Sequence, residues 1–249
     1  MVDRASRSTL AVYVLSLRQL TGKGRVLTIA GLALVPMIPA LVWLLTSAKP
    51  SASDLDDVLI NAMLASAILP IVALAVATTA LGNELEDKTL SNLTLAPVAR
   101  WRIVAAKLGA SATLIVPVIA ASGAASVLIA FTGAGLGGSA RAAAAVGVAL
   151  AVGALVYASL FVWLGLFSSR PLAIGLLYVF VWEGLFSSFV EGMKYLSVRQ
   201  YTLGIVQAID GSRFTDEVIG TTAAVVIAAV VFSLFALLTV RRLMRMDVP

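Results

Sequence analysis

The feature that most constrains this chain is a series of long segments without charged side chains. A helix needs about 20 mostly apolar residues to cross the ~30 Å hydrocarbon layer of a bilayer with all its backbone hydrogen bonds internal. Segments of about this length occupy residues 26–45, 58–81, 108–131, 142–167, 171–189 and 218–240. All are uncharged except the fifth, which contains Glu183. The pattern predicts an all-α polytopic membrane protein with six transmembrane helices, residues 1–249 forming a single transmembrane domain.

The composition narrows the functions open to such a chain. Hydrophobic residues make up 60% of the sequence, charged residues 12%, and there is neither Cys nor His. The missing types are the usual thiolate nucleophiles, imidazole bases and transition-metal ligands. We therefore predict no catalytic residues and no metal site, and an intramembrane enzyme is disfavoured.

The placement of Lys and Arg indicates how the chain crosses the membrane. Most of them precede the first span, follow the second, or lie in the C-terminal tail. By the positive-inside rule, both termini are predicted to be cytoplasmic, in a multi-pass protein of the inner (plasma) membrane. The net charge of +5 would suggest a nucleic acid in a soluble protein, but cations beside membrane spans favour the lipid bilayer, and no nucleic-acid partner is expected.

The segment before the first span has helical periodicity. Its apolar residues share one face, with Ser16, Arg18 and Gln19 opposite, and they are Leu10, Tyr13, Val14, Leu17 and Leu20. This spacing predicts an amphipathic interfacial helix over residues 8–23. Binding to anionic lipid would by itself explain why the helix is amphipathic. A further role of the helix stays open.

Two loops are long enough to hold structure of their own: the cytoplasmic loop 83–107 and the external segment 187–217, which contains two short semi-apolar pieces. In the cytoplasmic loop, Asp87 can cap a short helix, Leu90 and Leu93 repeat at helical spacing, and Pro97 ends it. Such a helix is a candidate docking element. The nearby carboxylates Glu84, Glu86 and Asp87 fit a solvated or partner-facing cluster better than an acid/base pair.

The sequence gives no support for nucleotide binding by this chain. Gly133, Gly135 and Gly138 match G-x-G-x-x-G, but the match lies between two predicted spans with no strand before it, which favours an external turn. No P-loop sequence occurs. If the chain belongs to an energised pump, another polypeptide must bind the ATP.

The cytoplasmic loop also carries a family resemblance. Residues 84–100 read ELEDKTLSNLTLAPVAR, with Lys107 following. This resembles the E-x-E-x-x-T-L-x-x-L-x-x-x-P-V-x-R…K signature after the second span of ABC-2 type transporter permeases. The overall order of segments is similar too, with an interfacial helix, six spans, a coupling loop after the second span and an elaborated external segment after the fifth.

The resemblance implies a mechanism and a set of sites. Two copies would form a homodimer with two separate ATPase (nucleotide-binding) subunits, and ATP and Mg would bind to those subunits rather than to this chain. Cargo would leave along the homodimer interface. The short turn containing Arg170 would make a second coupling contact. The implied ATPase-coupling residues are Glu84, Glu86, Asp87, Thr89, Leu90, Leu93, Pro97, Arg100 and Arg170.

Other functions stay open at this stage. The mostly apolar spans favour a hydrophobic or amphipathic cargo for an exporter, while a secondary transporter, a channel or a non-transporting membrane anchor of a complex are alternatives. Glu183 is the ionisable residue within a span, so it should avoid lipid. It is a candidate gate or cargo contact, with Arg199 or Arg213 as partners, or it pairs with backbone or Tyr groups and fixes packing.

Overall fold

The fold is an assembly of helices. The structure, a computed structural model, describes residues 2–46, 50–86, 99–186, 191–211 and 218–246. Within these ranges there is no β-strand. Five helices are long and apolar enough to cross a membrane. The chain is therefore an all-α polytopic membrane protein, as the hydropathy pattern predicts.

The N-terminal third contains an interfacial helix and a broken span. Helix α1 covers Val2–Leu20, and α2 (Lys23–Leu34) and α3 (Met37–Leu45) together cover the first predicted span. The break falls at Val35 and Pro36. Because proline has no backbone N–H and its ring clashes with the preceding turn, an interruption at this position is expected.

The second spanning helix, α4, changes its winding along its length. It begins at Ala52–Asp54, continues as a π-helix over Leu55–Ile68 and ends as an α-helix over Leu69–Glu86. The Leu69 N–H donates to the Leu64 carbonyl five residues back. This wide winding ends directly before Pro70, which has no N–H to donate to an i−4 carbonyl.

Two long helices follow and are joined by a tight turn. Helix α5 covers Arg100–Gly133 and α6 covers Ser139–Phe167. In the turn, Gly135 and Gly138 have φ values of 71° and 75°, a left-handed conformation that glycine adopts without strain. The G-x-G-x-x-G match thus begins at the last residue of α5 and forms a turn between two helices, as expected.

The fifth predicted span, residues 171–189, is helical as far as the structure describes it. Helix α7 covers Pro171–Leu177 and continues as a π-helix over Tyr178–Phe186. Its apolar part, Pro171–Gly184, is shorter than the helices counted as candidate spans. Among the described residues there are thus five full-length candidate spans and this shorter apolar helix.

The segment after α7 contains a 3₁₀ helix, Glu191–Leu196, and helix α8, Val198–Ile209, before the last helix α9, Thr221–Arg245. Helix α8 packs against α6 and α9. Thr202 of α8 lies beside Gly153, where a Cβ atom would come within 2.5 Å of the Thr202 hydroxyl oxygen. Gly153 lies about 21 Å along α6 at ~1.5 Å per residue, so α8 reaches close to the midpoint of that helix.

Helix α6 is the centre of the assembly. Its apolar window is the most buried among the candidate spans, whereas α9 and the α2–α3 span are mostly exposed. Helix α6 contacts α4, α5, α8 and α9. The peripheral helices therefore keep large apolar faces for lipid or for other protein chains.

Helix α1 packs through part of the predicted apolar face, Tyr13, Leu17 and Leu20, together with Ser16. Ser16 is buried while Leu10 and Val14 are exposed. The Tyr13 hydroxyl hydrogen bonds with the Thr113 hydroxyl of α5 at 2.9 Å. Assigning Ser16 to the polar face was wrong, because its hydroxyl donates to the Val12 carbonyl at 2.7 Å and can be buried without losing a hydrogen bond.

A glycine lets α4 and α6 approach closely, and this contact can be tested. A Cβ atom at Gly165 would lie 2.4 Å from the Thr78 carbonyl oxygen, a backbone atom that cannot turn away. We expect Gly165→Ala to destabilise the protein by about 1–3 kcal/mol, measured as a lower midpoint of thermal unfolding in detergent.

Gly109→Ala is the matched control for this variant. A Cβ atom there would lie 3.7 Å from the Tyr13 ring, which is an ordinary contact. Alanine also favours helix by ~0.5–1 kcal/mol, so this variant should be as stable as the parent or more stable. Equal midpoints for Gly165→Ala and Gly109→Ala would contradict the close contact between α4 and α6.

Candidate functional site

A buried ion pair joins three helices at one end of the assembly. The Lys107 ammonium of α5 contacts the Glu84 carboxylate of α4 as a salt bridge. Lys107 also donates to the Gln19 side-chain oxygen of α1 at 3.3 Å. We call this end, where α4 and α9 finish and α5 and α7 begin, the basic end.

The burial of this pair makes it structurally important. The side chains of Lys107 and Glu84 are 1% and 7% exposed. Removing one member of such a pair leaves an uncompensated buried charge, which costs about 3–5 kcal/mol. The second Glu84 oxygen, Oε2, has no hydrogen-bond partner among the described residues. The pair therefore holds the end of α4 against the first turns of α5.

Arg100 forms a second anchor at the basic end. Its guanidinium Nη1 donates to the Leu243 carbonyl of α9 at 2.6 Å. The last carbonyls of a helix have no partner within the helix and carry partial negative charge, so a cation there is favourable. This contact ties the start of α5 to the end of α9.

Arg170 lies at the turn between α6 and α7, beside the end of α4. It lines a cavity of about 330 Å³ that also includes Thr78, Thr79, Gly82 and Pro171. The Arg170 backbone N–H donates to the Ser168 hydroxyl at 3.1 Å, and its side chain is exposed. The implied second coupling residue is therefore accessible and adjacent to the helix that leads into the predicted coupling loop.

The structure describes both ends of the predicted coupling loop but not its middle. Residues 83–86 are helical, and helix resumes at Arg100, so both ends of the predicted loop 83–107 belong to helices. Asp87, Thr89, Leu90, Leu93 and Pro97, together with the side chain of Glu86, lie outside the described residues. Their coupling role stays a prediction.

Sequence reasoning missed two members of the ion-pair cluster. The sequence predicts Lys107 in a loop and Gln19 on the polar face of the interfacial helix. The expectation of a solvated cluster is also wrong for Glu84, which is buried against Lys107. The sequence contains a signal, because Lys107 directly precedes the apolar segment 108–131. A lysine so close to a span must find a partner or reach water.

On the opposite half of the assembly, the Glu183 carboxylate accepts hydrogen bonds from at least three groups. The donors are the Val198 N–H at 2.9 Å, the Ser197 hydroxyl at 2.5 Å and the Tyr178 hydroxyl at 3.2 Å. Glu183 is 0% exposed. Ser197 and Val198 form the start of helix α8. The carboxylate therefore occupies the N-terminus of α8, where partial positive charge and free N–H groups favour an anion.

The other end of α8 is also held. Arg141 of α6 donates through Nε to the Ile209 carbonyl at 2.9 Å. Arg199, a predicted partner of Glu183, instead donates to the Asn61 side-chain oxygen of α4 at 2.8 Å, and Arg213 lies outside the described residues. These contacts favour the packing role of Glu183 over the cargo contact.

The packing role makes a prediction for Glu183→Gln. The substitution replaces one acceptor oxygen by an NH₂ group that cannot accept from Ser197 or Val198, leaving a buried donor unpaired. We expect a loss of about 1–3 kcal/mol, measured by thermal unfolding in detergent. Asp57→Asn, at an exposed acid near the start of α4, is the matched control and should leave the midpoint unchanged. Altered transport by Glu183→Gln at unchanged stability would instead support a cargo or gate contact.

Comparison with known protein families adds an independent finding. A model of the ABC-2 family transporter proteins matches residues 23–185. A comparison with curated proteins gives no match. The matched region includes the helices that carry the Glu84–Lys107 pair, Arg170 and Glu183, and it covers more than half of the chain. Together with the membrane-spanning helices, this match shows that the chain belongs to the ABC-2 transporter family and is the permease type of subunit.

Proposed function

We propose that this chain is the membrane-spanning subunit of an ATP-driven exporter whose energy comes from a separate ATPase subunit. The observation that carries the proposal is the pair of anchors around segment 87–98. Glu84 and Lys107 fix the helix before it, and Arg100 fixes the helix after it. A docking element anchored on both sides transmits force to the helices rather than moving independently of them.

The anchored helices offer a route for that force. Helix α4 contacts α6 closely at Thr78 and Gly165. Helix α6 in turn contacts α8, and Arg199 of α8 is bonded to Asn61 of α4. In the proposed cycle, ATP binding closes the ATPase subunits and moves segment 87–98, and α4 and α6 move with it. Helix α8 would then change the opening on the far side.

The remaining parts of the proposal concern the orientation of the chain in the membrane, its oligomeric state and its cargo. The basic end, with both termini, faces the cytoplasm of an inner (plasma) membrane, as the positive-inside rule favours. Two chains pair as a homodimer and recruit two ATPase subunits, and cargo crosses along the interface between the two permeases. The apolar character of the exposed helix faces supports a hydrophobic or amphipathic cargo.

The first test is the composition of the native assembly. We expect the chain, extracted in mild detergent, to have the mass of a two-plus-two complex with an ATPase subunit. Leu90→Ala/Leu93→Ala should insert normally but weaken docking by roughly 2–4 kcal/mol, since each buried leucine contributes about 1–2 kcal/mol. A stable assembly without any ATPase would favour the membrane-anchor alternative.

The second test separates a coupling role of the Glu84–Lys107 pair from a purely structural one. Glu84→Gln alone leaves the Lys107 ammonium without its counter-charge, so we expect destabilisation by about 3–5 kcal/mol. Glu84→Gln/Lys107→Met removes both charges and should recover most of the unfolding midpoint. We nevertheless expect this double variant, reconstituted with the ATPase, to hydrolyse ATP with reduced transport.

Arg18→Gln is the matched control, because Arg18 is a cation near the same end with an exposed side chain. It should leave both stability and coupling unchanged. Normal coupling in the double variant would restrict the ion pair to a structural role.

A further inference from the structure

An apolar groove opens on the outer surface of the assembly near the basic end. It lies between α5, α6 and α9 and has a volume of about 510 Å³. Its lining is almost entirely apolar and includes Trp101, Gly109, Ala112, Ala158, Ala236 and Val240. Several of these are alanine or glycine, whose small side chains leave the space open.

The groove continues away from the basic end. A second apolar depression of about 230 Å³ lies between α6 and α9 and shares Leu155 and Phe232 with the first. Along α9 the combined lining extends from Val240 to Val225. At ~1.5 Å per residue this is about 22 Å, longer than the ~15 Å half-thickness of the hydrocarbon layer. The groove is thus long enough for a whole acyl chain.

The end of the groove at the membrane interface is cationic. Trp101 lines the groove and is 56% exposed, and the Arg102 guanidinium lies 5.2 Å from the centre of its ring. On α9, exposed Arg241 directly follows Val240. The sequences of α5 and α9 contain no acidic residue. Amphipathic Trp beside arginines is typical of the headgroup level of a membrane.

We propose that this groove binds an anionic phospholipid, with one acyl chain along α9 and the headgroup between Arg102 and Arg241. The apolar lining matches the acyl chain, and the two guanidinium groups favour a headgroup with a net negative charge. A second copy of this chain fits less well, because a two-fold axis would bring the same cationic rims together. The inference depends on the membrane-spanning fold and not on the proposed ATP coupling.

Binding can be measured with the purified full-length protein in vesicles. The probes are phosphatidylglycerol and phosphatidylcholine carrying a spin label on the acyl chain, and the signal is the fraction of label whose motion is restricted. We expect the parent to restrict phosphatidylglycerol more than phosphatidylcholine. Arg102→Gln/Arg241→Gln should lower this preference by about fivefold for each arginine removed, with phosphatidylcholine unaffected. Arg170→Gln, an exposed cation at the turn before α7 and outside the groove lining, should keep the preference.

A second variant tests the acyl-chain site itself. Ala112→Leu/Ala236→Leu places larger side chains in the groove and should lower the restricted fraction of both lipids. Ala121→Leu is the matched control, because Ala121 is an exposed residue of α5 outside the groove lining. If Ala112→Leu/Ala236→Leu does not fold, the lipid preference of Arg102→Gln/Arg241→Gln tests the proposal by itself.

Two results would overturn the proposal. One is an equal restriction of both lipids by the parent protein. The other is cross-linking between two copies at the groove, tested with Leu237→Cys and a bifunctional thiol reagent in a chain that has no other cysteine. Cross-linking there would make the groove an interface between copies instead of a lipid site.

Discussion

Hydrocarbon offers no hydrogen bonds, so a chain that crosses it must pair its backbone groups internally. Long helices satisfy this requirement along their length but leave N–H and C=O groups free at their ends. Helix α8 ends inside the assembly and meets the requirement through its neighbours: the Glu183 carboxylate accepts from the first N–H of the helix, and Arg141 donates to a carbonyl at its far end. These two contacts hold both ends of α8 beside the midpoint of α6.

The hydrocarbon of the bilayer also penalises unpaired charge, and this explains how the charged residues of the basic end are arranged. Lys107 is buried because Glu84 and Gln19 surround its ammonium group, and Arg100 lies where α9 presents free carbonyl oxygens. Each contact joins different helices. The ends of α1, α4 and α9 and the start of α5 are consequently held together next to the segment that the family resemblance assigns to ATPase docking.

Packing between the helices is uneven, and this leaves surfaces for other molecules. Glycines at positions 165 and 153 allow close contacts of α6 with α4 and α8. Helix α9 lies at the edge, packing on α6 with limited contact to α5, and the small residues between these helices leave a groove. Apolar exposure is ordinary in a bilayer, but a groove with a cationic rim at one end has a defined polarity, and that polarity matches a lipid with an anionic headgroup.

The sequence by itself determined the all-α class, most of the helix positions and the family, because span length, proline placement and the loop signature are local properties. It also indicated that Glu183 must avoid lipid. Only the tertiary structure decided which groups meet: Glu84 with Lys107, Gln19 with Lys107, Glu183 with the start of α8, and Ser16 within a helix contact. Hydropathy does not distinguish a lipid-facing side chain from one facing another helix, since both surroundings are apolar. The partners of the few polar groups therefore depend on helix packing that no local pattern encodes.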